Sequence, residues 1–181
     1  MKQSKLRTIE TKVRSLLESS NVTEAPIDVE KVAAGLGIAI KRTPTEDEIS
    51  GFLLRNAEGN TIIGVNTLHH PNRQRFTIAH EIGHYMLEHE FDQVHVDRSV
   101  MKLRSAASSS GEDQDEVEAN RFAAELLMPS GFVGKDIKSL IMTDLLDDKR
   151  MQQLARRYQV SVQAMTNRLI TLGYLSPDDL G

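Results

Sequence analysis

Between Arg73 and Glu88 runs the pattern that most restricts the fold. Phe76, Ala79, Ile82, Gly83, Met86 and Leu87 recur at helical spacing over a broad apolar face. Within that segment stands His80-Glu81-Ile82-Gly83-His84. In a helix, residues i and i+4 lie one turn apart on nearly the same side, so both imidazoles reach a single metal ion. Glu81 projects beside them, placed to take a proton from water at the metal rather than to bind the metal. At this chain's own His and Glu frequencies such a match arises in roughly one shuffled sequence per hundred, which makes chance a poor account of it.

A catalytic zinc usually takes three protein ligands and keeps one position for water. The chain of 181 residues has no cysteine, so no thiolate supplies the third ligand and no cysteine serves as nucleophile. The extended pattern H-E-x-x-H-x-x-G-x-x-H would need glycine at position 87 and histidine at position 90, where Leu87 and Glu90 stand. A carboxylate from a second helix is the remaining route. From Asp115 to Met128, Ala119, Phe122, Ala123, Leu126 and Leu127 define an inward face, and Pro129 bars continuation. Glu116 and Asn120 fall at the edge of that face, while Glu118 points away with Arg121 and Glu125 and is expected to be solvated. Glu116 is therefore the expected third ligand. Asn120 is placed to accept a hydrogen bond from a ligand imidazole N–H and so fix its tautomer. Zn²⁺ suits this set best, and Mn²⁺ or Fe²⁺ is compatible with two histidines and a carboxylate.

The six histidines all fall between His69 and His95. His69 and His70 precede Pro71 in a segment that reads as a solvated loop, and His89 lies near the helix end, where positive charge is favourable. His95, in a strand-like alternation with Val94 and Val96, is the candidate transition-state hydrogen-bond donor. Tyr85 and Tyr158 read as packing residues.

Elsewhere the pattern gives a helix over Lys5–Glu18, a short helix from Val29 ending at Gly37, and a strand at Ile38–Lys41. Ile49–Leu54 and Thr61–Val65 form a hairpin around Asn56–Asn60. Thr61–Val65 is expected to be an open edge that takes substrate as an added strand. Ser105–Asp115 reads as a mobile polar loop, and the remainder as helices over Ser130–Leu146, Met151–Tyr158 and Ser161–Leu172. The expected fold is α+β, mainly helical, with a small antiparallel sheet: a main domain over residues 1–148 and a helix-turn-helix-like subdomain over 149–181 packed on it. Lys149, Arg150, Arg156, Arg157 and Arg168 make that last part basic. The residues allow either groove reading by the second helix or packing against the acidic Glu112–Glu118 region or a protein partner. A net charge of −4 gives no general attraction for nucleic acid. The polar N-terminus (MKQSKLRTIETKV) lacks the apolar core of a signal peptide, and no apolar run is long enough to span a bilayer. A cytoplasmic protein without a membrane segment is the expectation.

Taken together, HEIGH at 80–84 and EVEANRFAAELLMP at 116–129 resemble the ImmA/IrrE family of bacterial and phage metallopeptidases, over a span from about Ile27 to Leu175. The resemblance implies a zincin-like metallopeptidase domain with His80 and His84 on the metal and Glu81 as catalytic glutamate. E-x-x-A-N at Glu116–Asn120 is similar to the E-x-x-S-D of thermolysin-like enzymes, whose first residue binds zinc and whose last orients a histidine. It also implies a substrate class: a helix-turn-helix transcriptional repressor controlling a mobile element or a stress response. The resemblance places a segment similar to the C-terminal helices in the peptidase fold itself, and on that ground direct DNA binding is not expected. The competing reading is a non-proteolytic regulator that binds a repressor or DNA and keeps its metal for structure.

Overall fold

Asp28 caps a short helix, its carboxylate accepting the backbone N–H groups of Glu30 and Lys31 at 3.2 and 3.0 Å. In the computed structural model, residues 3–46, 48–56, 58–89, 94–98, 110–140, 147–176 and 178 are described. Their elements are α1 (Gln3–Ser19), α2 (Val29–Gly35), β1 (Ile38–Thr43), β2 (Ile49–Arg55), β3 (Thr61–Asn66), α3 (Pro71–Met86), β4 (Val94–Arg98), α4 (Ser110–Leu127), α5 (Ser130–Leu140), α6 (Asp148–Tyr158) and α7 (Val162–Thr171). Gly37, just past α2, takes φ +74°, where a side chain would be strained, and turns the chain into β1. The β2–β3 turn is held by Asn56, whose side-chain oxygen accepts from Glu58 N at 3.1 Å and Asn60 N at 2.8 Å.

The arrangement is α+β and mainly helical, as the periodicities require, but the sheet is mixed. Its order is β1-β3-β2-β4, with β1 parallel to β3 and both β2–β3 and β2–β4 antiparallel. The expected antiparallel hairpin is present, and a parallel strand is added to it because α2 delivers β1 alongside β3. Thr61–Val65 is therefore no edge. Both sides of β3 are hydrogen-bonded, one to β1 and one to β2, and no substrate strand can be added there. Sequence periodicity shows that a strand exists and which face it buries, but not its neighbours.

The inner face of the sheet, with Leu53, Ile63 and Val65 buried, packs on α3. The far side of α3 meets α4 at close quarters. At Gly83 an added Cβ would stand 3.1 Å from the backbone Cα and O of Ala119 and from Phe122 Cβ, so glycine sets how near the two helices come. Helix α1 lies across α4 with Ile9, Val13, Leu16 and Leu17 buried, and Lys12 Nζ donates to the Met86 carbonyl at the end of α3 (2.7 Å). Helix α4 begins at Ser110, so residues 110–115, expected as loop, are its opening turns. Residues 105–109 and 141–146, the rest of the expected loop and helix, lie outside the described residues.

The C-terminal helices join the same core through Met151, Leu154, Ala155, Tyr158, Val160, Met165 and Leu169. Among the described residues, the contacts that the structure gives their arginines lie elsewhere than on residues 114–118. Arg157 Nε lies 2.7 Å from Asp136 Oδ2 and Arg150 Nε 3.6 Å from Asp147 Oδ2. Arg168 is buried, donating to the Met128 carbonyl at 3.0 Å and to Glu125, which itself accepts from Ser130 N and Oγ. An arginine held inside the core is unavailable to a DNA groove. Among the described residues no helix is long and apolar enough to cross a membrane.

Candidate metal centre

His70 caps α3 by accepting from Asn72 N at 3.2 Å, and Pro71 occupies the first turn, where its missing N–H costs nothing. The exposed loop histidine of the sequence reading is thus a helix cap. From Thr77 to His84 every residue of α3 is buried, because sheet and α4 cover the helix from both sides. His80, Glu81 and His84 sit at 2%, 0% and 1% exposure, so three polar side chains are buried side by side, a burial that is costly unless they find partners.

Helix α4 brings Glu116 to them. Nε2 of His80 and of His84 are 3.0 Å apart, and the Glu116 carboxylate oxygens lie 3.4 Å from the first and 3.5 Å from the second. Ligands bound at roughly 2.0–2.1 Å around a tetrahedral ion stand roughly 3.3–3.4 Å apart. The spacing of the three groups brackets that value. The donor set of two imidazoles and a carboxylate fits a zinc-like divalent cation, and at 37% side-chain exposure Glu116 leaves the centre open on one side.

Each imidazole is held from behind. Asn120 Oδ1 lies 3.1 Å from His80 Nδ1; an amide oxygen can only accept, so His80 carries its proton on Nδ1 and turns the Nε2 lone pair to the centre. Asn120 stands where its position on the helix predicts, whereas the helical pattern does not predict the group behind His84. His89 Nδ1 lies 2.9 Å from His84 Nδ1. Glu88 adopts φ +59°, a left-handed turn that folds His89 back against the end of α3, where it is buried at 7% exposure. The expectation of a charge-favoured helix end is corrected accordingly. Burial pushes the His89 imidazole below its ordinary pKa, against the pull of Asp115 and Glu118. A histidine five residues after His84 is a visible signal in the sequence, but helix continuation would carry it away from His84; the turn at Glu88 returns it.

Glu118 is likewise not solvated. It is 8% exposed and accepts from Lys5 Nζ and Gln114 Nε2, both at 2.5 Å. Burial disfavours its charge, yet those two hydrogen bonds and the Lys5 charge hold its pKa below the usual carboxylate value. A helical wheel sees one partner helix; here α1 covers the face that the wheel assigned to water. Tyr158 is fully buried, with its hydroxyl donating to Asp136 at 2.8 Å. Tyr85 is half-buried with Arg55 over its ring at 5.8 Å. The backbone of His95 pairs with Leu53 in β4, and its side chain, with the proposed donor role, lies outside the described residues.

Sheet, paired helices and converging ligand atoms define a zincin-like, metallopeptidase-like domain. The IrrE N-terminal-like domain of the M78 peptidases matches residues 33–170, and the chain belongs to that family. A Mycobacterium tuberculosis transcriptional regulator shares the fold, with a TM-score of 0.60 at 17% identity. That similarity covers 91% of this chain but 46% of the regulator, so the chain spans about half of the regulator's length. No curated protein matches the chain.

Proposed function

We propose that the protein is a metal-dependent endopeptidase, with His80, His84 and Glu116 holding Zn²⁺ and Glu81 acting as general base and acid. The observation that carries this reading is the convergence of the three ligand atoms within 4.8 Å of one another, beside a fully buried glutamate. A divalent cation bound there supplies Lewis acidity, acidifying water and polarising the scissile carbonyl. Glu81 accepts the proton of the attacking water and passes it to the departing amine. Asn120 keeps His80 in the tautomer that presents Nε2.

The substrate we propose is a helix-turn-helix transcriptional repressor, on the strength of the family resemblance; a repressor substrate places the reaction in the cytoplasm. Helices α6 and α7 we read as packing elements of the peptidase unit rather than a DNA reader, since Arg168 is spent on Glu125 and Met128. The alternative, a regulator whose metal is only structural, is separated by Glu81→Gln. That variant is expected to bind Zn²⁺ as the wild type does and to lose cleavage of a co-expressed repressor by at least 10²-fold, the scale of general acid–base catalysis. Full cleavage by Glu81→Gln would sink the proposed mechanism.

A further inference from the structure

We propose that His89 is a positioning residue for the metal centre: it accepts the Nδ1 proton of His84 and thereby fixes that ring as an Nε2 ligand. The inference rests on the metal-centre reading above and adds a residue to it. The two ligand imidazoles are treated alike by the structure. Each turns Nε2 toward Glu116, and each has a partner at hydrogen-bond distance from its Nδ1, the half-buried Asn120 for His80 and the buried His89 for His84. A neutral imidazole that binds through Nε2 must keep its proton on Nδ1, and an N–H directed at another ring nitrogen needs a lone pair there. His89 must therefore be unprotonated at Nδ1 and carry its proton on Nε2.

The surroundings of Nε2 agree with that assignment. His89 Nε2 lies 3.7 Å from Asp115 Oδ1 and 3.7 Å from Glu118 Oε2, beyond hydrogen-bond length but close enough for two carboxylates to favour an N–H on this side of the ring. Glu118 is in turn tied to Lys5 of α1. A line of contacts thus runs from His84 through His89 to the acidic first half of α4, the helix that also delivers Glu116. The turn at Glu88 gives the line its geometry, since without the left-handed residue the chain would leave α3 on the other side.

The test uses the full chain and Zn²⁺ as probe. Zinc affinity is measured by competition with a chromophoric chelator, and the visible spectrum of the Co²⁺ form reports ligand orientation. His89→Phe, which fills the space but cannot accept, is expected to weaken Zn²⁺ binding about 10- to 100-fold, the usual effect of removing such a partner, and to alter the Co²⁺ bands. His89→Gln, which offers an amide oxygen, is expected to recover most of both. Wild-type affinity in His89→Phe overturns the proposal. So does equal weakening in Phe and Gln variants whose metal-free urea unfolding matches the wild type, since packing would then be the whole effect. Long-range ¹H–¹⁵N spectra of the zinc-loaded wild type need no variant: protons on His84 Nδ1 and His89 Nε2 support the role, and a proton on His89 Nδ1 overturns it. A wild type that binds no zinc overturns the metal centre itself, whereas one that binds normally while His89→Phe does too overturns His89 alone.

Discussion

At Asn120 one side-chain oxygen decides which nitrogen of His80 carries the proton. Asn120→Ala is expected to leave the fold intact and weaken Zn²⁺ binding about 10- to 100-fold, read by chelator competition; an unchanged affinity would remove Asn120 from the centre. Tyr158→Phe tests a purely structural residue. Losing its hydroxyl bond to the partly buried Asp136 should cost about 0.5–1.5 kcal/mol in urea unfolding and leave metal affinity unchanged. Residues of these kinds differed in how far the sequence exposed them. His80, His84, Glu116 and Asn120 meet because each lies on a periodic position of a helix facing its neighbour, and periodicity is written in the chain. His89 and Glu118 escaped because their surroundings depend on a left-handed turn and on a third helix, α1, which no wheel drawn for α3 or α4 contains.

The unit that makes the centre is the α3–α4 pair, and Gly83 sets its spacing. Gly83→Ala gains about 1 kcal/mol of helix propensity but sets it against about 1–3 kcal/mol of overpacking, because the atoms in its way belong to the Ala119 backbone. A net loss of up to about 2 kcal/mol is expected, larger for Gly83→Val, together with weaker zinc binding as α4 carries Glu116 outward. Denaturant melts and chelator competition on the same samples check both; a Val variant of wild-type stability and affinity would contradict the close crossing. Most elements were legible, since the helical periods of α1, α3, α6 and α7 and the turn-bounded β2–β3 hairpin have plain signatures. The first turns of α4 were not. Ser110-Gly111-Glu112-Asp113 has a loop-like composition, yet acidic residues also suit a helix N-terminus, so composition alone points both ways. Strand order was hidden too, because a strand's sequence names its buried face and not its neighbours.

Across the whole molecule, Arg168 fastens α7 to the end of α4 through Glu125, with side-chain exposures of 7% and 8%. Removing one partner, as in Arg168→Met, strands a buried charge and should cost roughly 3–5 kcal/mol, while the pair Arg168→Met with Glu125→Leu should recover a large part of that. Urea unfolding of single and double variants decides; additive losses would show no coupling. Zinc should stabilise the whole fold, because His80 and His84 on one helix and Glu116 on another meet only when the chain is folded. Free Zn²⁺ at about 1,000 times its dissociation constant corresponds to about 4 kcal/mol, so melting should rise with zinc and fall on adding a chelator. The sheet order has a consequence of its own. Among the described strands β1, β3 and β4 run one way and β2 alone the other, so the two outermost strands share a direction. A guest segment lying antiparallel to either would travel the same way across the molecule. For antiparallel addition, then, the direction of the guest would be the same on either side of the sheet.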